Sequence, residues 1–192
     1  MKKSYIFKRS GWQKDDFEYV YSPICKTFGE FIDEDDHIRN FTTDGDFEYI
    51  SMISKSRYKT GTTAYLKCSF DTFGAPLIVM TDDIFSDGGI KRYGLHFEVV
   101  AYEDGFNVWR IVPAPEKTER PIATSKILAE HFEIEDGKTC EITLKIEEKR
   151  FVIDVNGVKG IVEHEDIPER FHVGFTACEG INRLYEFSIE EG

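Results

Sequence analysis

Positive charge is scarce in this sequence: its 192 residues hold 24 Lys and Arg against 36 Asp and Glu, a formal net charge of −12. A nucleic-acid binder needs a basic footprint to displace counterions from phosphates, and anionic membranes attract basic segments, so neither partner is expected. Long apolar runs are absent as well. The best, Pro76 to Met80, stops at Thr81-Asp82-Asp83, far short of the ~20 residues that a spanning helix needs. The start, Met1-Lys2-Lys3-Ser4-Tyr5-Ile6-Phe7-Lys8-Arg9, is charged but has no apolar stretch after it, so no secretion signal is expected and the expected location is cytoplasmic. Only four cysteines occur, Cys25, Cys68, Cys140 and Cys178. They form no C-x-x-C pair and no Cys/His cluster at zinc spacing, so neither a metal nor a cofactor is expected. Cys68 falls in phase with the apolar positions of Ala64 to Phe70 and reads as a small buried hydrophobe. Cys178, ahead of Glu179-Gly180, is the one candidate for a reactive thiol.

What is present fits one folded domain over 1–192: 41% hydrophobic and 14% aromatic residues, with no linker, repeat or low-complexity tract. Apolar residues recur at every second position in many short runs, and helical spacing almost never persists, which is an all-β pattern. The clearest hairpin joins Arg92–Tyr102 to Phe106–Val112 through Glu103-Asp104-Gly105, because Asp-Gly supplies positive φ. Three further strands are read at Thr139 to Ile146, Arg150 to Val155 and Val158 to Val162, the last two joined by Asn156-Gly157. Others are read at Phe17 to Val20, His37 to Asn40, Phe47 to Ser54, Thr63 to Phe70, Pro76 to Thr81, Ile127 to Ile134, Phe171 to Ala177 and Leu184 to Ile189. Pro113, Pro115 and Pro121 bracket a loop that cannot continue a sheet.

Four segments follow in a recognisable order: Leu144-Lys145-Ile146, Phe151-Val152-Ile153-Asp154-Val155-Asn156-Gly157, His172-Val173-Gly174-Phe175-Thr176-Ala177 and Leu184-Tyr185-Glu186-Phe187-Ser188-Ile189. A strand ending in V-N-G, a strand reading V-G-F and a final strand of alternating apolar residues resemble the closing strands of concanavalin A-like, laminin-G-like jelly rolls. The resemblance implies a two-sheet antiparallel jelly-roll sandwich, with strands from both chain ends, whose concave sheet often binds saccharides. Familiar sites of that superfamily do not carry over. The E-x-D-x-x-E of laminarinase-type members is missing, as is the H-x-N-P-R of galectins.

Within the hairpin, Tyr93, Leu95, Phe97, Val99 and Ala101 share one face, and His96, Glu98, Val100 and Tyr102 the other. With Asp104-Gly105 as a two-residue turn, Glu103 pairs with Phe106, Val100 lies opposite Trp109, and Tyr102 lies opposite Asn107. The candidate binding residues are therefore His96, Glu98, Asn107 and Trp109, an indole platform beside carboxylate, amide and imidazole groups that suits a sugar. Hydrolysis would need a second carboxyl, and no partner for Glu98 stands out. Asp33-Glu34-Asp35-Asp36-His37, the densest acidic run, could supply oxygens to Ca²⁺, but it lacks an EF-hand's alternating ligands and turn glycine and reads first as a solvated loop. The leading expectation is a non-catalytic, lectin-like carbohydrate-binding domain with a saccharide as partner. A carbohydrate-active enzyme resembling glycoside hydrolases and a protein-interaction module stand beside it, and oligomeric state is open.

Overall fold

A computed structural model describes residues 1–25, 28–40, 48–71, 73–114 and 122–192. Among these residues, two antiparallel eight-stranded sheets pack face to face. The first runs, in spatial order, β16 (Val158–Glu163), β15 (Arg150–Val155), β14 (Cys140–Glu147), β7 (Thr62–Asp71), β18 (Ile181–Glu190), β4 (Ile38–Arg39) and β3 (Ile32–Asp33). Beside the last residues of β18 lies β1 (Lys2–Ile6), so both chain ends contribute strands. The second sheet runs β13 (Ile122–His131), β12 (Gly105–Pro113), β11 (His96–Tyr102), β8 (Ala75–Thr81), β17 (Arg170–Cys178), β5 (Tyr49–Ser54) and β2 (Phe17–Tyr19), with β6 (Tyr58–Lys59) at the start of β17. A separate hairpin pairs β9 (Ile84–Asp87) with β10 (Ile90–Tyr93). Apart from one 3-10 turn, Lys14–Asp16, no helix is found among the described residues, and none could cross a membrane. This is an all-β, two-sheet antiparallel sandwich of the jelly-roll kind, the fold that the resemblance implies.

Alternation builds the main core. Leu66, Cys68 and Phe70 of β7, Ile142, Leu144 and Ile146 of β14, and Phe151, Ile153 and Val155 of β15 point inward from the first sheet. Ile78 and Met80, Phe97 and Val99, Phe106 and Val108, and Val173, Phe175 and Ala177 meet them from the second. In β18 a bulge between Leu184 and Glu186 resets the phase, so that Leu184, Phe187 and Ile189 all face the core. At its centre Phe175 is fully buried. Its ring centroid lies 4.9 Å from Phe7, 5.2 Å from Phe17, 5.7 Å from Phe31 and 5.1 Å from Phe187.

The glycine of Val173-Gly174-Phe175 has a steric reason. A Cβ there would stand 2.1 Å from the Met52 carbonyl oxygen and 2.6 Å from the Ile53 Cα on the adjacent strand, so the approach of β17 to β5 leaves no room for a side chain.

Three sequence expectations are corrected. The hairpin pairs Tyr102 with Gly105, Val100 with Asn107 and Glu98 with Trp109, so the two-residue turn is Glu103-Asp104. The predicted register is off by two residues, an even number, and each side chain keeps its face. Arg92 and Tyr93 do not open β11 but end the separate hairpin that turns at Asp87-Gly88-Gly89. Finally, β13 begins at Ile122, five residues ahead of the expected start, and ends at His131. Phe47, where a strand was expected to begin, lies outside the described residues, as do Pro115 to Pro121 of the proline-bracketed loop.

Candidate functional site

The outer face of the second sheet has two parts. One half is a second apolar cluster of Tyr49 and Ile53 from β5, Leu77 and Val79 from β8, and Tyr93, covered by Val20, Tyr21 and Cys25 of the segment after β2. Backbone and side-chain bonds fasten that cover. The Val20 amide donates to the Ser51 carbonyl (3.2 Å), the Tyr93 amide to the Tyr21 carbonyl (3.2 Å), and the Arg92 guanidinium to the carbonyls of Ser22 and Cys25 (2.9 and 3.0 Å). Hydroxyls are paired beneath it: Ser51 Oγ lies 2.6 Å from Tyr93 Oη and 2.7 Å from Thr176 Oγ1.

The other half carries the predicted residues. Glu98 on β11 is directly opposite Trp109 on β12, and Asn107 is opposite the neighbouring Val100. Trp109 is partly exposed, whereas Glu98 and Asn107 are only 7% and 9% exposed. The Lys126 ammonium sits 5.1 Å from the Trp109 ring centroid, a cation–π contact from the edge strand. The Tyr102 hydroxyl donates to Asn107 Oδ1 at 3.4 Å.

His96 departs from expectation. The side chain shares the face with the other three but is fully buried, with the Tyr93 ring 5.0 Å away, so it cannot touch a ligand arriving from solvent. Instead it lies behind Glu98. Its Nδ1–H donates to the Gly94 carbonyl at 2.8 Å, which leaves Nε2 facing Glu98 Oε1 at 3.4 Å. The bend is tight at Gly94, where a Cβ would overlap the Asp83 carboxylate.

Sequence reasoning missed Tyr49. Its hydroxyl donates to Glu98 Oε1 at 2.6 Å, although the sheet order puts β17 and β8 between β5 and β11. Burial first, then the nearby Glu98 charge, holds the Tyr49 hydroxyl well above the ordinary phenol range, so it stays a donor at any physiological pH. A signal for this half of the face does exist in the sequence. Tyr49-Ile50-Ser51-Met52-Ile53 and Leu77-Ile78-Val79-Met80 are nearly continuous apolar runs, the mark of strands buried on both faces.

Elsewhere the acidic run is occupied by its neighbours. Glu34 pairs with Arg9 and Arg39 at 3.1 and 2.8 Å, Asp35 with Arg9 at 3.3 Å, and Asp36 with His37 at 2.7 Å. The Arg39 guanidinium holds the Glu34 carboxyl below the usual carboxylate range. Among the described residues no group of His, Cys, Asp and Glu could hold a metal ion. Cys178 is a poor candidate for a reactive thiol, because burial first and the Glu98 charge next push it well above the usual thiol range.

No protein-family model matches the chain, and no curated protein is similar to it in sequence. Solved structures with the same fold are numerous. The carbohydrate-binding module CBM66 from Bacillus subtilis is 15% identical, with a TM-score of 0.59 over 88% of this chain and 92% of that one. The exoplasmic/lumenal domain of VIP36, in a form bound to Ca²⁺ and Man3GlcNAc, is 11% identical, with a TM-score of 0.62 over 100% and 90%. An immunostimulatory antigen and pseudo β-1,3-glucanase of Mycobacterium tuberculosis is 12% identical, with a TM-score of 0.54 over 99% and 98%. At these identities the likeness is one of fold.

Proposed function

We propose that this chain is a non-catalytic, lectin-like saccharide-binding domain that uses the open half of the outer face of its second sheet. The observation that carries this reading is the direct opposition of Glu98 and Trp109, with the carboxylate fixed from behind by Tyr49 and with Asn107 alongside. A partly exposed indole offers an apolar platform to a sugar ring, while the carboxylate and amide accept and donate to its hydroxyls. Because the polar groups are already oriented, little side-chain freedom is lost on binding. Solved structures of the same fold that are described as carbohydrate-binding or sugar-bound support the reading. His96 lies buried behind Glu98 and makes no contact with a ligand in this reading.

A broad glycan array on the purified protein, run beside Trp109→Ala and with and without calcium, tests it. The expected result is selective binding that the substitution weakens about 10- to 100-fold, equivalent to roughly 1.4–2.8 kcal/mol, with an unchanged melting temperature. A blank array, or binding indifferent to Trp109, would overturn the reading and turn attention to protein partners. One observation favours a second reading, a carbohydrate-active enzyme: a single carboxyl, Glu98, stands beside the indole of Trp109 and is held in place by the Tyr49 hydroxyl. Reducing ends released from a bound glycan, and lost in Glu98→Gln, would decide for it.

A further inference from the structure

The four cysteines, dispersed in sequence, fall in two places in the fold: Cys68 and Cys140 in the main core, Cys25 and Cys178 in the apolar cluster on the outer face of the second sheet. Cys68 on β7 and Cys140 on β14 are directly opposed partners in the antiparallel ladder of the first sheet. Both are fully buried in the main core, and the Cys68 Sγ lies 3.5 Å from the Cys140 carbonyl oxygen. Opposed residues of an antiparallel pair have Cα atoms about 4.5–5.5 Å apart, and a disulfide requires roughly 4.4–6.8 Å. We propose that Cys68 and Cys140 form a cross-strand disulfide when the chain folds in the presence of a disulfide oxidant, clamping β7 to β14.

The chemistry is thiol–disulfide exchange with a low-molecular-weight disulfide such as oxidised glutathione. One cysteine thiolate attacks the oxidant and releases one glutathione thiolate, leaving a mixed disulfide. The second cysteine thiolate attacks the protein sulfur of that intermediate, forming the S–S bond and releasing the second glutathione. Two protein thiols are oxidised, one glutathione disulfide is reduced to two thiols, and the two protons pass to the departing thiolates. Timing follows from burial. In the folded chain both sulfurs are shielded, and burial raises the Cys68 thiol further, so the bond forms while the sheet is assembling and is then protected from reductant. The covalent loop it closes contains β8 to β13, and with them Glu98, Asn107 and Trp109. The inference does not depend on the saccharide reading.

The test refolds the reduced, denatured chain with oxidised glutathione, and in parallel with excess dithiothreitol. Thiol counting and unreduced peptide mapping follow. The expected result is a fall from four free thiols to two, a linked peptide pair holding Cys68 and Cys140, and a melting temperature about 10 °C above that of the dithiothreitol sample, the order given by closing a loop of this length. The double variant Cys25→Ala/Cys178→Ala keeps the link, and Cys140→Ala loses it. Should refolding fail, chain exported to an oxidising bacterial periplasm and mapped in the same way serves instead. Four surviving thiols in correctly folded oxidised protein would overturn the proposal. So would a Cys25–Cys178 link without the Cys68–Cys140 one, or an oxidised form that melts below the reduced one.

Discussion

Raising the pH through 10 to 12 is expected to unfold the protein cooperatively, with tyrosinate absorbance appearing in the same transition. Eight tyrosines, Tyr5, Tyr19, Tyr21, Tyr49, Tyr58, Tyr65, Tyr93 and Tyr102, are held above the ordinary phenol value of 10.0, each with burial as the largest cause. Tyr21 is pushed up to about 12. A group whose folded-state pKa is raised contributes stability that is fully present below the unfolded value. Above pH 10 the unfolded chain loses phenolic protons that the folded chain retains, so stability falls with each further unit until the folded value is passed. Tyr49 and Tyr93, the most deeply buried, dominate, and the partly exposed tyrosines add less. Circular dichroism and near-ultraviolet absorbance recorded along a pH titration check this. Tyrosines that ionise near pH 10 in a protein with intact β-sheet signal would contradict it.

Phe175→Ala is expected to cost about 3–5 kcal/mol, the range for truncating a buried phenylalanine, and to fall toward its upper end. The ring is fully buried and makes aromatic contacts with residues from four other stretches of chain: Phe7, Phe17, Phe31 and Phe187. Such pairs contribute beyond simple area burial. Residues on both sheets surround it, so neither can close the cavity by itself. Against a typical total of about 5–15 kcal/mol, the variant would sit close to the edge of folding. Urea unfolding should show a lower midpoint with an unchanged slope. A loss below about 1.5 kcal/mol would mean that the packing around Phe175 is looser than the ring geometry indicates.

The fold was legible where one face of a strand meets solvent. Cys140–Glu147, Arg150–Val155 and Val158–Glu163 alternate cleanly, and their boundaries match the sequence reading to within a residue or two. The choice of face for Glu98, Asn107 and Trp109 was legible for the same reason, since a two-residue slip preserves parity. The contents of the covered half were less so. That His96 is buried depends on Tyr93 and on the segment from Val20 to Cys25 folding over the sheet, a contact between stretches some seventy positions apart that no local periodicity encodes. Tyr49 reaches Glu98 across two intervening strands, and only the strand order reveals it. Cys68 was read correctly as buried, but its partner emerged only with the ladder of β7 and β14.

The cover over the second sheet has a kinetic consequence. Strands β8 and β17 are flanked by neighbours on both edges and overlaid on both faces, by the first sheet on one side and by the covering segment and β9–β10 hairpin on the other. Their amides cannot meet solvent until several layers part, so hydrogen–deuterium exchange should be slowest at Ile78, Val79, Gly174 and Phe175 and should approach the rate of global unfolding. Among the described residues the edge strand β13 pairs with no strand on its far side, and it should exchange orders of magnitude sooner. The platform proposed at Trp109 would thus stand between a nearly unexchanging floor and a labile rim, and a ligand that bridges Trp109 and Lys126 would reveal itself by slowing exchange in β13.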